Sequence, residues 1–267
     1  MVMVSNVDLS QWQWQNTEKG SYLTCKLLAH WQHGFFSSHF YSQTPEILVK
    51  YLHPCASSYR VKQIHSNIIL STDTIDHHRL KDSNLMEADG IITQKSLQSV
   101  WCASADCTPV LIADAQNGNV TAIHSGWRGT STQIVPKAIA FLKSQGCKLE
   151  NLLCALGPAI DGKVYQVDAD VAVKVLKTVI PKAENLDIED ILTEGYRLPN
   201  QVILPEKETN KVRLNVTQVI NLQIQQQGIS SEHIAISPYC TYQTPEYFFS
   251  YRRTKEKKVQ WSGIISH

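Results

Sequence analysis

Two apolar runs on either side of one turn constrain this chain most. Residues 110–113 and 120–123 flank residues 114–119, and Asn117-Gly118 within that segment is a strong turn signal. Strands joined by a tight turn run antiparallel, so the start of the first lies beside the end of the second. Cys107 stands just before the first run and His124 just after the second. The pattern predicts a hairpin whose open end brings thiol and imidazole together.

Such a pair serves as nucleophile and base, or as joint ligands of a metal. The plainer alternative is a buried cysteine beside a hydrogen-bonded core histidine. Against it, Asp106 next to Cys107 is awkward to place in a core. Gly126-Trp127-Arg128-Gly129 after His124 reads as a loop shaped for close approach, with a cation at its rim. Gln63-Ile64-His65-Ser66 follows residues 59–62 and precedes Ile68-Ile69, which puts His65 within or at the end of a strand. Two histidines and a cysteine suit zinc or copper and leave one coordination position open, the mark of a catalytic site. Spacing alone leaves open whether His65 joins the pair.

The chain has 267 residues, 43% of them hydrophobic, enough for one large core or two modest ones. A net charge of +1 gives no electrostatic case for nucleic acid or an acidic membrane surface. The 7 cysteines are scattered, with no Cys-x-x-Cys pair, and read as reduced thiols of a cytoplasmic protein. Residues 1–16 lack the basic start and apolar stretch of a signal peptide, and no run approaches a membrane span.

Periodicity predicts strands at residues 9–16, 22–31, 59–70, 99–103, 151–156, 234–236 and 247–251. It predicts helices from Pro45 to about Leu52, over 130–144, over 168–179, and from an Asn215 cap to Gln227. Residues 71–84 read as a surface loop or short helix, and 181–211 are poorly patterned. The helix after Gly129 points its N-terminus at the site, either to hold an anion such as phosphate or as a structural device. Asp89-Gly90 is a turn or aims a carboxylate at the pocket. Arg252-Arg253 reads as a solvated strand end, with an anion grip as the alternative. His30, His33 and His39 read as solvated or hydrogen-bonded. The expected class is α/β (α+β), one mixed domain over residues 1–267 with partly antiparallel pairing.

Several motifs together resemble the YfiH-like proteins, long described as polyphenol oxidases or laccase-domain proteins and now as purine nucleoside phosphorylases. They are Lys62-Gln63-Ile64-His65-Ser66, Glu87-Ala88-Asp89-Gly90, Ala105-Asp106-Cys107-Thr108-Pro109 and His124-Ser125-Gly126-Trp127-Arg128-Gly129-Thr130. Gly157-Pro158-Ala159-Ile160, Tyr165-Gln166-Val167, Cys240-Thr241 and Phe248-Phe249-Ser250-Tyr251-Arg252-Arg253 follow in the family's order. The resemblance implies a mixed sandwich like that of deamidating cysteine toxins, with helices packed on the sheets. It implies that His65, Cys107 and His124 bind a catalytic zinc or copper. It further implies phosphorolysis of adenosine, inosine and methylthioadenosine, with adenosine deamination as a second activity, in a monomer or homodimer.

On that resemblance Arg128, Arg252, Asp89 and Tyr251 are candidates to bind substrate or phosphate, and Asp106 or Asp89 to protonate the leaving purine. Two departures stand out. The family's Tyr-Glu-Val is Tyr165-Gln166-Val167 here, and its Gly-Arg pair near the end is replaced by Val259-Gln260-Trp261, removing one cation. The rival readings are a copper-dependent, laccase-like polyphenol oxidase and a metal-free Cys–His hydrolase. The oxidase needs dense histidine pairs, yet the 10 histidines include no His-x-His and no His-Cys-His.

Overall fold

The computed structural model describes residues 9–267. The expectation of no secretion signal rests on residues 1–16, of which the first eight lie outside the described residues.

Two six-stranded sheets pack face to face. The first runs, in spatial order, Trp12–Asn16, Ser21–Cys25, His33–Phe36, Gln260–Ile265, Gln98–Ser104, Ser57–Tyr59. The second runs Ile234–Ile236, Leu152–Leu156, Thr108–Asp114, Val120–Ser125, Gly90–Thr93, Ile69–Ser71. A small third sheet orders Gln166–Asp168, Lys211–Leu214, Ile203–Pro205. Most pairs are antiparallel, and three short strands at the sheet edges pair in parallel. The class is the mixed α/β one that the patterning predicts, arranged as the sandwich that the family resemblance implies.

The predicted hairpin is the centre of the second sheet. Gly118 takes a φ of +73°, which its missing Cβ permits, and the Asp114 carboxylate accepts the Gln116 and Asn117 amides to close the turn. Thr108–Asp114 is buried at every position because both faces are covered. Leu111 and Ala113 meet Phe35, Val100 and Ile264 of the first sheet. Val110 and Ile112 meet the helices Ile134–Ser144, Ala169–Leu176 and Val216–Gln226 on the other side. This alternation follows from the two-residue period of a strand, and each fully buried Leu or Ile contributes about 1.5–3 kcal/mol. A third cluster packs Phe36, Trp101 and Ile265 under helix Pro45–Leu52.

Helix Pro45–Leu52 begins and ends as predicted, and Asn215 caps Val216–Gln226 by accepting the Gln218 amide. Four expectations need correction. Residues 59–70 are not one strand: Ser57–Tyr59 and Ile69–Ser71 belong to different sheets, and the segment between them crosses over. The strand predicted at 22–31 stops at Cys25, where a turn of 3-10 helix, Lys26–Leu28, begins. The helix over 130–144 is two, Trp127–Ser131 and Ile134–Ser144, broken where Gln133 turns left-handed at φ +60°. Residues 247–251 are not a strand but lead into a short helix, Tyr251–Thr254, because the Ser250 hydroxyl caps the Arg253 amide. No helix among the described residues is long and apolar enough to cross a membrane.

Candidate active site

The hairpin register pairs Pro109 with His124 and Thr108 with Ser125, which sets Cys107 against Gly126. A Cβ on Gly126 would lie 2.5 Å from the Cys107 sulfur, so this glycine leaves the thiol its space. His65 arrives from the crossover loop, its ring 4.8 Å from that of His124 and nearly perpendicular to it. The ligand atoms of His65, Cys107 and His124 lie within 4.8 Å of one another. The structure thus brings together the three residues whose meeting the spacing alone left open.

Asp89 holds this arrangement. One carboxylate oxygen accepts the His65 amide at 3.0 Å and the His124 Nδ1–H at 2.9 Å. The other accepts the Ile64 amide at 3.2 Å, the Ser66 amide at 2.6 Å and the Ser66 hydroxyl at 2.8 Å. This cradle fixes His65 at φ +60°, a left-handed conformation that a non-glycine residue keeps only when its surroundings impose it. It also assigns Nδ1 of His124 to the carboxylate and leaves Nε2 as the free ligand atom. Burial alone would raise the Asp89 pKa, but the bonds from His124 and Ser66 override it and hold it at about 2. Burial likewise opposes ionisation of Cys107, yet the two imidazoles outweigh it and pull the thiol down. Burial opposes charge on His124, and the Cys107 and Asp89 charges overcome that.

The donor set fits a metal. Two imidazoles, a ready thiolate and a carboxylate behind one imidazole are the composition of zinc and copper sites. His65, Cys107 and His124 are the residues that would hold such an ion.

A second carboxylate, next to Cys107 in the chain, organises the arginine side of the cleft. Asp106, at φ +96°, accepts the Thr241 hydroxyl and the Arg252 amide, each at 2.7 Å. The Arg252 guanidinium lies 4.7 Å over the Tyr165 ring and donates to the Gln166 carbonyl at 2.8 Å. Arg128 is exposed and lies 4.4 Å over the Trp127 ring. Tyr251 is exposed on the cleft wall. Arg253 turns away to the carbonyls of Thr241, Tyr242 and Phe248, so one of the adjacent arginines is structural. Trio, Asp106, Arg128, Tyr165 and Arg252 line one cleft of about 1050 Å³.

The helix expected to offer its N-terminus to an anion is only Trp127–Ser131, and the long one starts beyond it at Ile134, so guanidinium groups are the cations here. Of the two family departures, Gln166 sends its side-chain amide to Glu208 and reaches the site only through its backbone carbonyl, which accepts from Arg252. Where the last strand lacks its cation, Arg60 lies 5.9 Å from the Trp261 ring, paired with Glu46. Sequence reasoning assigned no role to Tyr165 or Gln63. Gln63 clamps both backbone groups of Ala103 through its side-chain amide, a contact without any sequence signal.

Known proteins share this arrangement of the chain. The family described as multi-copper polyphenol oxidoreductase laccase matches residues 43–266. A Synechocystis protein named purine nucleoside phosphorylase is 47% identical over 257 residues, 96% of this chain and 97% of its own. A Haemophilus influenzae protein of the same name is 30% identical, covering 64% of this chain and 62% of its own. Among solved structures, YlmD from Geobacillus stearothermophilus superposes with a TM-score of 0.79 at 21% identity, covering 95% of this chain and 98% of that one. The hypothetical protein YfiH of Bacillus licheniformis gives 0.78 at 19% identity, with 95% and 99% covered.

Proposed function

The chain belongs to the laccase-domain family, to which the YfiH-like proteins belong, and on that footing we propose that it is a metal-dependent purine nucleoside phosphorylase. The observation that carries this reading is the His65–Cys107–His124 trio in a cleft that Arg128 and Arg252 also line. The name of the 47% identical relative supports it. Adenosine, inosine and methylthioadenosine are the substrates we assign, with phosphate as co-substrate, in a single cytoplasmic domain acting as monomer or homodimer.

The oxidase named in the family's description is the weaker reading. Several coppers need several histidine clusters, and the described residues offer one group of three donors. The Cys–His hydrolase is weaker too, because it leaves His65 without a role although Asp89 locks its backbone beside the same sulfur.

In phosphorolysis a phosphate oxygen bonds to the ribosyl carbon as the bond to the purine breaks, and the electron pair leaves with the base. The ribosyl carbon gains oxocarbenium character, as in glycoside cleavage. Arg128 and Arg252 hold the phosphate, with guanidinium forks suited to its oxygens. Asp89 is ionised and saturated with donors, and both Asp106 oxygens are engaged. Both therefore position other groups rather than protonate the purine. His65, Cys107 and His124 would hold a zinc or copper ion, which would supply Lewis acidity at this end of the cleft.

A three-ligand site of this kind also suits hydrolytic exchange of the purine 6-amino group, which we assign as secondary adenosine deaminase activity. The His-x-Glu and Pro-Cys-x-x-Cys signature of zinc deaminases is absent, so that activity runs on a different scaffold.

The test is to incubate metal-quantified protein with adenosine, with and without phosphate, and identify the products. Adenine and ribose 1-phosphate should form only with phosphate, inosine slowly without it, and Cys107→Ala should abolish both. A product profile indifferent to phosphate removes the phosphorylase reading.

A further inference from the structure

Tyr165 stands in the cleft with its hydroxyl unclaimed. Its backbone is fixed on both sides: its amide donates to the Gly162 carbonyl and its carbonyl accepts the Leu214 amide. Its ring packs against the helical core and carries Arg252 on one face. The hydroxyl has no hydrogen-bond partner among the described residues, yet the group lies within electrostatic reach of Cys107, Arg252, Asp106 and Arg128. Burial first, then the Cys107 charge, push its pKa up to about 12, so the phenol keeps its proton.

The surroundings are rich in donors. Arg128 stacks on Trp127 and makes no ion pair among the described residues. Arg252 uses a guanidinium N–H on the Gln166 carbonyl and keeps others free. Asp106, the nearby carboxylate, has turned both oxygens to Thr241 and the Arg252 backbone. Two guanidinium groups with free N–H donors and a protonated phenol, beside a carboxylate whose oxygens are both engaged, make a site for an anion.

We infer that the Tyr165 hydroxyl is a phosphate-binding group, donating a hydrogen bond to an oxygen of the phosphate that Arg128 and Arg252 hold, while its ring aims Arg252. This rests on the phosphorylase reading above.

Calorimetric titration of inorganic phosphate into the metal-loaded wild type, Tyr165→Phe and Tyr165→Leu tests it, alongside phosphorolysis at varied phosphate and adenosine. Tyr165→Phe keeps the ring and loses only the donor. Its phosphate Kd and phosphate KM should rise about tenfold, the effect of one hydrogen bond to a charged group, with the adenosine KM unchanged. Tyr165→Leu also loses the shelf under Arg252 and should bind phosphate more weakly still. If the wild type binds phosphate and Tyr165→Phe matches it, the inference falls and the phosphorylase reading stands. A rise confined to the adenosine KM also overturns it, assigning Tyr165 to the nucleoside. A wild type that neither binds nor requires phosphate ends the phosphorylase reading and this inference with it.

Discussion

Two aspartates near Cys107 do similar work with different consequences. Asp89 is fully buried and accepts five hydrogen bonds, two of them involving the imidazole of His124 and the backbone of His65. Asp106 is half-buried and accepts two, from Thr241 and from the Arg252 amide in the helix Tyr251–Thr254. The first sets the His65 and His124 side of the trio and the second sets the guanidinium side. A carboxylate filled with donors is a building device, so the chemistry falls to the groups still free: the facing atoms of the trio, Arg128, Arg252 and the Tyr165 hydroxyl.

Asp89→Asn attacks the comparison hardest. Its amide puts N–H groups against the N–H groups of residues 64–66, so the His65 loop loses its anchor and His124 its orienter. Metal affinity should fall roughly 100-fold and turnover at least as far, with the phosphate KM of the residual activity unchanged. Competition against a chromophoric chelator reads the first, and steady-state kinetics the second. Gly126→Ala presses on the sulfur from the other direction, its Cβ meeting Sγ at 2.5 Å. An overpacked contact costs about 1–3 kcal/mol, so metal affinity should drop about tenfold in the same assay. Asp106→Asn should leave metal content intact and raise the phosphate KM by less, about threefold to tenfold, as Arg252 loosens. Metal loss in Asp106→Asn, or a pure phosphate KM effect in Asp89→Asn, would show that the two walls are not divided in this way.

The sequence showed one wall of this site better than the other, for a physical reason. Hairpin pairing is local, so the meeting of Cys107 and His124 followed from a turn signal and two apolar runs. His65 sits on a loop whose shape is dictated by a carboxylate 24 residues away, so no period or turn residue near it announced its position. The break at Gln133 was hidden because its left-handed φ falls on an ordinary residue inside a helical period. The stretch at 247–251 carries strand-like aromatics, but the Ser250 cap and the Asp106 carboxylate pull the following residues into a helical turn. Asp106 beside the thiol and Asp89 before a strand stand out in the sequence. Only coordinates reveal that their oxygens are already engaged.

The last comparison sets Asp89 against a buried group remote from the trio. His33 lies within the first sheet, where its Nε2 accepts the Cys25 amide and its Nδ1–H donates to the Trp31 carbonyl, both at 2.8 Å. Burial lowers its pKa and the Trp31 carbonyl opposes this weakly, leaving it at about 4 against an ordinary 6.5. The unfolded chain therefore takes up this proton before the folded protein does. The stability contributed by neutral His33 is complete above pH 6.5 and is lost as pH falls towards 4. Asp89, held at about 2 against 3.8, contributes fully above pH 3.8 and loses its share as pH falls from there towards 2. The two windows do not overlap. Between pH 6.5 and about pH 5.5 the metal-free wild type should lose about 1 kcal/mol more than His33→Gln, which keeps an acceptor and a donor without titrating. Asp89→Asn, less stable throughout, should run parallel to the wild type in that interval. Urea melts at the two pH values decide it, because an unchanged slope in His33→Gln would mean that the imidazole is not held neutral by its burial.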